Sequence, residues 1–581
     1  MTFLIAIFFF STKRKNIKIF KVKDLKKELK NAIIIIVYRF TLEKTVKDGQ
    51  EMTLQDYLNL RNGTDVRGIA SPIVEGEDVT LTEEAVENIA KAFCVWLVSR
   101  TGKTKVNVAV GHDSRISAEA LCNAVVNGIV STGHNATVTG LSTTPSMFML
   151  LKDETLNEDE PYHGSIMITA SHLPANRNGL KFFYENGGLE GADVKEILQL
   201  AATYRFAEGV KGKKKKKSYL NTYAAALVEK VRQATDEKKP LAGKKIIVDA
   251  GNGAGGFFAT HVLKPLGANI DGSQFLEPDG NFPNHIPNPE NKDAMRSVCQ
   301  AVQKANADFG IIFDTDVDRA GAVDKDGSEI NRNRLIALIS AILLQEKAGT
   351  IVTDSVTSDG LAKFIAEKGG KHHRFKRGYK NVINEAIRLN AKGEYTPLAI
   401  ETSGHAALME NYFLDDGAYL ITRLLIALAK AAKEGKELSD LIADLSMPLE
   451  EREIRIRFKN DCDFKTLGAN VIKDFEKYAD KKAYLTKASD NYEGCRVCYD
   501  SVHGDGWALL RMSLHEPIMP INVESVAKHG SIKIVKDLYD FLKTYDFLDL
   551  TPFEKAIAEH RENLKTAWAK HCKEDPFFLI P

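Results

Sequence analysis

From about residue 55 onward, apolar runs alternate with amphipathic stretches. Residues 105–110 (KVNVAV) form a buried-strand pattern that closes at Gly111, and residues 118–130 space Ala, Leu and Val at the helical period. Residues 136–139 and 164–169 (GSIMIT) are further strands, the second running into a polar loop. Strand, polar loop, helix, strand is the rhythm of an α/β sheet. The basic stretch 211–217 interrupts it. Its five consecutive lysines (213–217) repel one another and predict a solvated surface linker. The rhythm resumes with a helix over 219–233 and strands over 245–249, 309–313 and 351–354, followed by a helix over 419–433. Strict alternation in EIRIRF (453–458) predicts an antiparallel strand of a smaller α+β module, and the last 30 residues read as a charged helix.

The pattern therefore predicts an α/β protein of three similar α/β units and a C-terminal α+β unit. The expected bounds are 55–210, 219–330, 331–447 and 448–545, with an unassigned N-terminal extension (1–54) and a helical C-terminal extension (546–581). A length of 581 residues agrees, because it exceeds what one hydrophobic core supports. A formal net charge of +1 gives no support to a polyanion binder, so no nucleic-acid partner is expected. No apolar run reaches the roughly 18 residues of a membrane span, so no membrane partner is expected either. The apolar residues 1–10 precede Arg14 and several lysines, the reverse of a secretory signal. A cytoplasmic location is expected, with organellar targeting by this extension the alternative. Seven scattered cysteines are not a disulfide framework. Cys495 and Cys498 lack a second ligand pair for zinc and read as small residues around a strand.

Six loops carry chemistry. In DTDVDR (314–319), Asp314, Asp316 and Asp318 alternate after the apolar strand FGIIF, a spacing that turns three oxygens toward one hard cation such as Mg²⁺. Arg319 follows, and a guanidinium grips phosphate in bidentate fashion. A plain acidic turn has the same pattern. In TASHLPANRNGLKF (169–182), Ser171 sits just past the end of a buried strand, where α/β folds place their chemistry, with His172, Asn176, Asn178 and Lys181 around it. No G-x-S-x-G elbow accompanies it, and a capping serine is the other reading. GTDVRG (63–68) and GHDSR (111–115) each set an arginine, Arg67 and Arg115, beside an aspartate and a glycine. ETSGH (401–405) offers Glu401, Ser403 and His405 to sugar hydroxyls, and RMSLHEP (511–517) follows a strand.

In this order the loops resemble the α-D-phosphohexomutase superfamily, the family of phosphomannomutase/phosphoglucomutase and phosphoglucosamine mutase. The resemblance spans about residues 60–530. It implies four domains around a central cleft, each giving one loop to the site. It implies that Ser171 carries the transferable phosphoryl group, and that Asp314, Asp316 and Asp318 hold one Mg²⁺ with a phosphoserine oxygen as a further ligand. Glu401, Ser403 and His405 match the sugar-recognition loop, and Gly378, Tyr379 and Lys380 (in RGYKN) another substrate-contacting loop. Arg511 and Ser513 match the loop that holds the non-reacting phosphate. Arg67, Arg115, His172, Lys181 and Arg319 lie in matching motifs, with His172 or Lys181 the acid/base. The substrate implied is a small hexose phosphate, interconverted between its 1- and 6-phosphates through a bisphosphate that also serves as activator. The implied activity is that of a phosphomannomutase/phosphoglucomutase. Phosphoglucosamine mutase and a non-catalytic sugar-phosphate-binding paralogue are the alternatives. The last loop departs from the family's R-x-S-G-T-E-P: Leu514 and His515 replace the glycine and threonine. That removes backbone freedom and leaves a His515 ring nitrogen in place of a hydroxyl donor.

Two motifs support rival chemistry. GNGAGG (251–256), with Asp271 twenty residues on, has the form of a dinucleotide fingerprint and would indicate a dehydrogenase. DTDVD also partly matches the nucleophile loop of aspartyl-phosphate phosphatases, with Asp314 as nucleophile. His112, His134, His163 and His503 read as ordinary histidines.

Overall fold

A computed structural model describes residues 52–156, 161–206, 211–459, 462–513 and 516–574, with backbone alone over 564–574. Most of the N-terminal extension, together with Leu514 and His515, lies outside the described residues.

The described residues build four sheets. In the first, Gly164–Ile168, Asn107–His112 and Asn135–Leu141 run parallel, and Asp65–Ile69 and Arg177–Tyr184 complete one side antiparallel. Helices Glu83–Thr101, Ala118–Ser131 and Gly191–Thr203 cover one face around a core that includes Phe93, Trp96 and Ile197. The lysine-rich stretch is a correction to the sequence reading: Lys214–Lys216 is a strand, not only a linker, and it pairs parallel with Asn135–Leu141. Pairing uses backbone groups alone, and all three side chains are exposed, so their charges stay hydrated.

In the second sheet Phe309–Phe313 is parallel to Ile246–Asp249 and antiparallel to Ala320–Asp324. Residues 314–319 are therefore the link of a hairpin at the end of two buried strands. The third sheet is ordered Lys371–Arg374, Thr350–Thr353, Leu398–Ile400, Ala406–Leu408, Leu414–Asp415. The fourth is antiparallel. In its strand Glu450–Phe458, Ile454, Ile456 and Phe458 face inward and the intervening arginines outward, as the alternation predicts. Cys495 and Cys498 lie on strand Cys495–Tyr499 and are free thiols. Among the described residues no helix is long and apolar enough to cross a membrane.

One apolar core joins the first three units. It runs from Met147 and Phe148 through Tyr223, Phe258 and Phe313 to Leu338 and Leu424. Within it, Phe258 packs edge-on against Phe313, the residue before Asp314, with ring centroids 5.3 Å apart. Tyr223 donates to the buried carboxylate of Asp416 at 2.6 Å, and Asp416 also caps helix Gly417–Lys433 through the Tyr419 N–H at 2.8 Å. The fourth unit has its own core and meets the third through buried polar contacts and the ring of Tyr492 against His373 and Phe375. Arg496 donates to the carbonyls of Ser355 and Thr357, both at 3.1 Å, and pairs with Asp359 at 2.8 Å.

The glycine turn 251–256 serves packing. A Cβ on Gly256 would lie 2.1 Å from the Leu276 carbonyl oxygen, and one on Gly253 2.7 Å from Thr315. The Ala254 N–H meanwhile donates to the Thr315 carbonyl at 2.8 Å. The turn is thus seated against the acidic loop. Gly256→Ala is expected to lower stability by about 1–3 kcal/mol in a denaturant titration, and NAD⁺ is expected to leave the melting temperature of the wild type unchanged.

Candidate active site

Loop 314–319 is the meeting point of the three α/β units. Its carbonyls accept the N–H groups of Thr144 (to Asp316, 2.9 Å), Ala254 (to Thr315, 2.8 Å) and Gly417 (to Val317, 3.1 Å). Thr144 and Gly417 open the helices Thr144–Lys152 and Gly417–Lys433, so two helix N-termini point at the acidic loop and favour its negative charge. Thr144 Oγ1 also donates to Asp316 Oδ2 at 2.5 Å. Val317 adopts φ +66°, a strained state for a β-branched residue, and is fully buried.

Asp314, Asp316 and Asp318 are buried and each offers an oxygen, all within 4.8 Å of one another. Asp316 Oδ1 and Asp318 Oδ1 have no hydrogen-bond partner. A buried, oxygen-only set with orphaned carboxylate atoms fits a hard divalent cation. Burial, with Asp318 and Asp316 alongside, pushes Asp314 well above the usual carboxylate range. Burial would raise Asp318 too, but Lys181 and His405 hold it well below. Lys181 Nζ lies 2.9 Å from Asp316 Oδ2 and also bonds Asp318. Burial acts to lower this lysine, and the two aspartates outweigh it and keep it firmly protonated.

Ser171 lies at φ +49° and is buried. Its Oγ donates to Asp314 Oδ2 at 2.8 Å and sits 3.3 Å from His172 Nδ1. Burial, then the charges of Arg319, His405 and Arg67, depress His172 to about 2, so its ring is neutral. Arg115 is placed behind this loop. Its guanidinium donates to the carbonyls of Ser171, Leu173 (2.7 Å), Pro174 (2.7 Å) and Arg177 (2.9 Å) and pairs with buried Asp113 at 3.3 Å. It acts on the loop's shape and does not face the cleft. Arg67 donates to the Thr169 carbonyl, pairs with Asp65 at 2.8 Å, and does face the cleft.

A cavity of about 480 Å³ brings together Arg67, Ser171, His172, Lys181, Asp318, Arg319, Gly378, Tyr379, Lys380 and His405. His405 Nε2 accepts from Arg319 Nε at 3.1 Å, its Nδ1 is 3.0 Å from Ser403 Oγ, and Tyr379 stacks on its ring at 5.3 Å. Burial and Arg319 lower His405 to about 4. Glu401 lies deeper, where its Oε1 accepts the Gly378 N–H at 2.6 Å; burial and neighbouring Asp354 raise it to about 7. Lys380 bonds the Gly188 carbonyl at 2.8 Å and Glu190 at 3.1 Å, and Tyr379 OH meets Thr64 Oγ1 at 2.7 Å, both across from the third unit to the first. Arg511 is buried near Glu493, Glu453 and Asp354, with its Nε unpartnered. The Ser513 N–H donates to the Ile518 carbonyl at 3.0 Å, and Glu516 N–H to Ser513 Oγ at 3.3 Å.

Comparison with known proteins agrees with this assembly. Models described as phosphoglucomutase/phosphomannomutase, alpha/beta/alpha domains I, II and III match residues 60–208, 221–327 and 331–447. A phosphomannomutase/phosphoglucomutase of Pseudomonas putida is 30% identical over 436 residues, 74% of this chain and 86% of that protein. The chain belongs to the phosphoglucomutase/phosphomannomutase family. A phosphoglucomutase of Neisseria gonorrhoeae is 29% identical over 466 residues, 79% of this chain and 92% of that protein. The solved structure of a phosphoglucomutase/phosphomannomutase family protein from Burkholderia thailandensis superposes with a TM-score of 0.69 at 26% identity, covering 85% of this chain and 98% of that one. The phosphohexomutase is thus three α/β/α domains and a further sheet-containing domain, and the dehydrogenase and aspartyl-phosphatase readings fall.

Several site residues have no sequence signal of their own. Thr144 sits in STTPS, whose Pro after Thr marks a helix start but not its target. Glu290 reaches both Arg319 and Arg377 at 3.6 Å, and Asp415 lies 3.4 Å from His405. Glu493 accepts from Ser355 Oγ at 2.5 Å and from the Arg377 N–H at 3.1 Å, tying the fourth domain to the loop before Gly378.

The raised Glu401 has a measurable consequence. A carboxyl raised from 4.5 to about 7 contributes stability that is fully present below pH 4.5 and lost as pH rises through 7. Glu401→Gln keeps an acceptor for the Gly378 N–H and does not titrate. The stability of wild type minus variant, from denaturant titrations, is expected to fall by about 2–3 kcal/mol between pH 5 and pH 8.

Proposed function

We propose that this phosphohexomutase interconverts the 1- and 6-phosphates of glucose and mannose through a phosphorylated Ser171. The observation that carries the reading is the 2.8 Å hydrogen bond from Ser171 Oγ to Asp314, which sets the nucleophile at the edge of the acidic triad. Asp314, Asp316 and Asp318 would hold Mg²⁺, which supplies charge neutralisation for the transferring phosphoryl group. Ser171 Oγ stands where the bridging oxygen of the phosphoserine would lie.

The chain's own residues do the rest. Neutral His172, 3.3 Å from Ser171 Oγ, relays the proton of the attacking sugar hydroxyl to the departing Ser171 oxygen, and the reverse relay serves the second transfer. The Lys181 ammonium and the guanidinium of Arg67 face the phosphoryl oxygens and stabilise the charge that develops on them. The phosphoryl group passes to the free hydroxyl of a hexose phosphate, giving a hexose bisphosphate. Ser171 then attacks the other phosphate of the turned bisphosphate and recovers a phosphoryl group. Added bisphosphate therefore acts as activator. Glu401, Ser403 and His405, already linked to one another, orient the sugar, assisted by Gly378, Tyr379 and Lys380. Arg319, Arg511, Ser513 and His515 hold the non-reacting phosphate. Cys94, Cys122, Cys299, Cys462, Cys495 and Cys498 are free thiols, which supports work in a reducing compartment, the cytoplasm.

The test is a coupled assay with Mg²⁺, offering glucose 1-phosphate and mannose 1-phosphate with a trace of the matching bisphosphate. Ser171→Ala is expected to lower turnover by at least about 10³-fold and to leave no acid-stable phosphoenzyme. Full activity without phosphoenzyme would overturn the mechanism, and conversion of glucosamine phosphate alone would reassign the sugar. Arg511→Ala is expected to raise KM about tenfold or more with a smaller change in kcat, because a grip on the non-reacting phosphate is made in ground and transition states alike.

A further inference from the structure

Asp415 is a buried carboxylate that the proposed mechanism leaves unused. It ends the edge strand Leu414–Asp415 of the third domain and is 6% exposed, and neither of its carboxylate oxygens has a hydrogen-bond partner. A buried carboxylate in that condition is costly unless something charged comes to it. With Lys181 and Asp318 it lines one narrow cavity of about 160 Å³ between the first and third domains. Burial and the neighbouring Asp318 push it well above the usual carboxylate range, Lys181 acts against them, and His405 Nε2 stands 3.4 Å from its Oδ2.

Lys181 and a divalent cation claim the same atoms. Lys181 Nζ bonds Asp316 Oδ2 at 2.9 Å and Asp318 Oδ2, both members of the acidic triad. Once a cation draws on those carboxylates, an ammonium held against them is repelled at short range in a buried site. It needs another anion within the swing of a lysine side chain. Asp318, His405 and Asp415 also form a ligand-like cluster, but Arg319 Nε already donates to His405 Nε2 at 3.1 Å, so that lone pair is not open to a second metal.

We propose that Asp415 is the counter-ion to which Lys181 transfers when a divalent cation occupies the Asp314–Asp316–Asp318 site. It is a positioning residue: by receiving Lys181 it frees two carboxylates for the cation and keeps the ammonium charged and facing the phosphoryl group. The inference rests on the metal reading of the triad, and its test separates the two.

Mn²⁺ binding to the full chain is measured by calorimetry for wild type, Asp415→Asn, Lys181→Met and the double variant. Asp415→Asn is expected to weaken Mn²⁺ binding about tenfold where Lys181 is present, and less than about twofold in the Lys181→Met background. An equal loss in both backgrounds would mean plain through-space attraction and would overturn the exchange, as would no loss in the wild-type background. Wild-type protein that binds no Mn²⁺, or binds it undiminished after Asp314→Asn, would overturn the metal reading and this inference with it. Should Asp415→Asn not fold, a crystal structure of the Mn²⁺-loaded wild type decides. Lys181 Nζ at about 3 Å from Asp415 supports the exchange, and Nζ still held between Asp316 and Asp318 overturns it.

Discussion

Crowding three like charges into one buried loop is the constraint around which the molecule is organised. Left to themselves, Asp314, Asp316 and Asp318 would repel one another and seek water. They are held because neighbours on every side grip the loop's backbone: Thr144 from the first domain, Ala254 from the second and Gly417 from the third. Two helix N-termini and the Lys181 ammonium compensate the charge. Even so, Val317 is forced to φ +66°, which only a rigid surrounding sustains. The apolar core that runs unbroken across three domains supplies that rigidity, and it reaches the loop directly through Phe258 and Phe313.

A different physics governs the fourth domain. Its apolar core is its own, and it meets the third domain through Arg496, Glu493, the pairing of Arg374 with Asp490 at 3.0 Å and the ring of Tyr492 against His373 and Phe375. Arg511 belongs to this separately cored domain, apart from Ser171 and the acidic loop. Glu493, which accepts the Arg377 N–H next to Gly378, ties that domain to the loop that carries Tyr379 and Lys380.

Much of this was legible in the chain. Parallel strands buried on both faces print as plain apolar runs, so Phe309–Phe313 reads without ambiguity and the acidic loop at its end with it. The same holds for the strand before Ser171. Contacts made by single residues from distant segments were not legible. Thr144 and Asp415 lie in ordinary contexts, and only folding reveals that each faces an atom more than eighty residues or one domain away. Arg115 shows a third case. Its motif marked it as a site residue, but whether a guanidinium faces substrate or backbone carbonyls is decided by tertiary packing. The lysine run misled for the opposite reason: charge repulsion predicts exposure correctly, yet exposure of the side chains does not prevent the backbone from pairing.

That edge strand bears on how the protein behaves among its own copies. Lys214–Lys216 closes one side of the largest sheet, where an unpaired row of N–H and C=O groups would otherwise invite another strand to dock. A neighbouring molecule approaching edge-on with the same sheet meets an identical row of ammonium groups and is turned away before hydrogen bonds can form. Charge on an edge strand thus opposes edge-to-edge pairing between copies of the sheet.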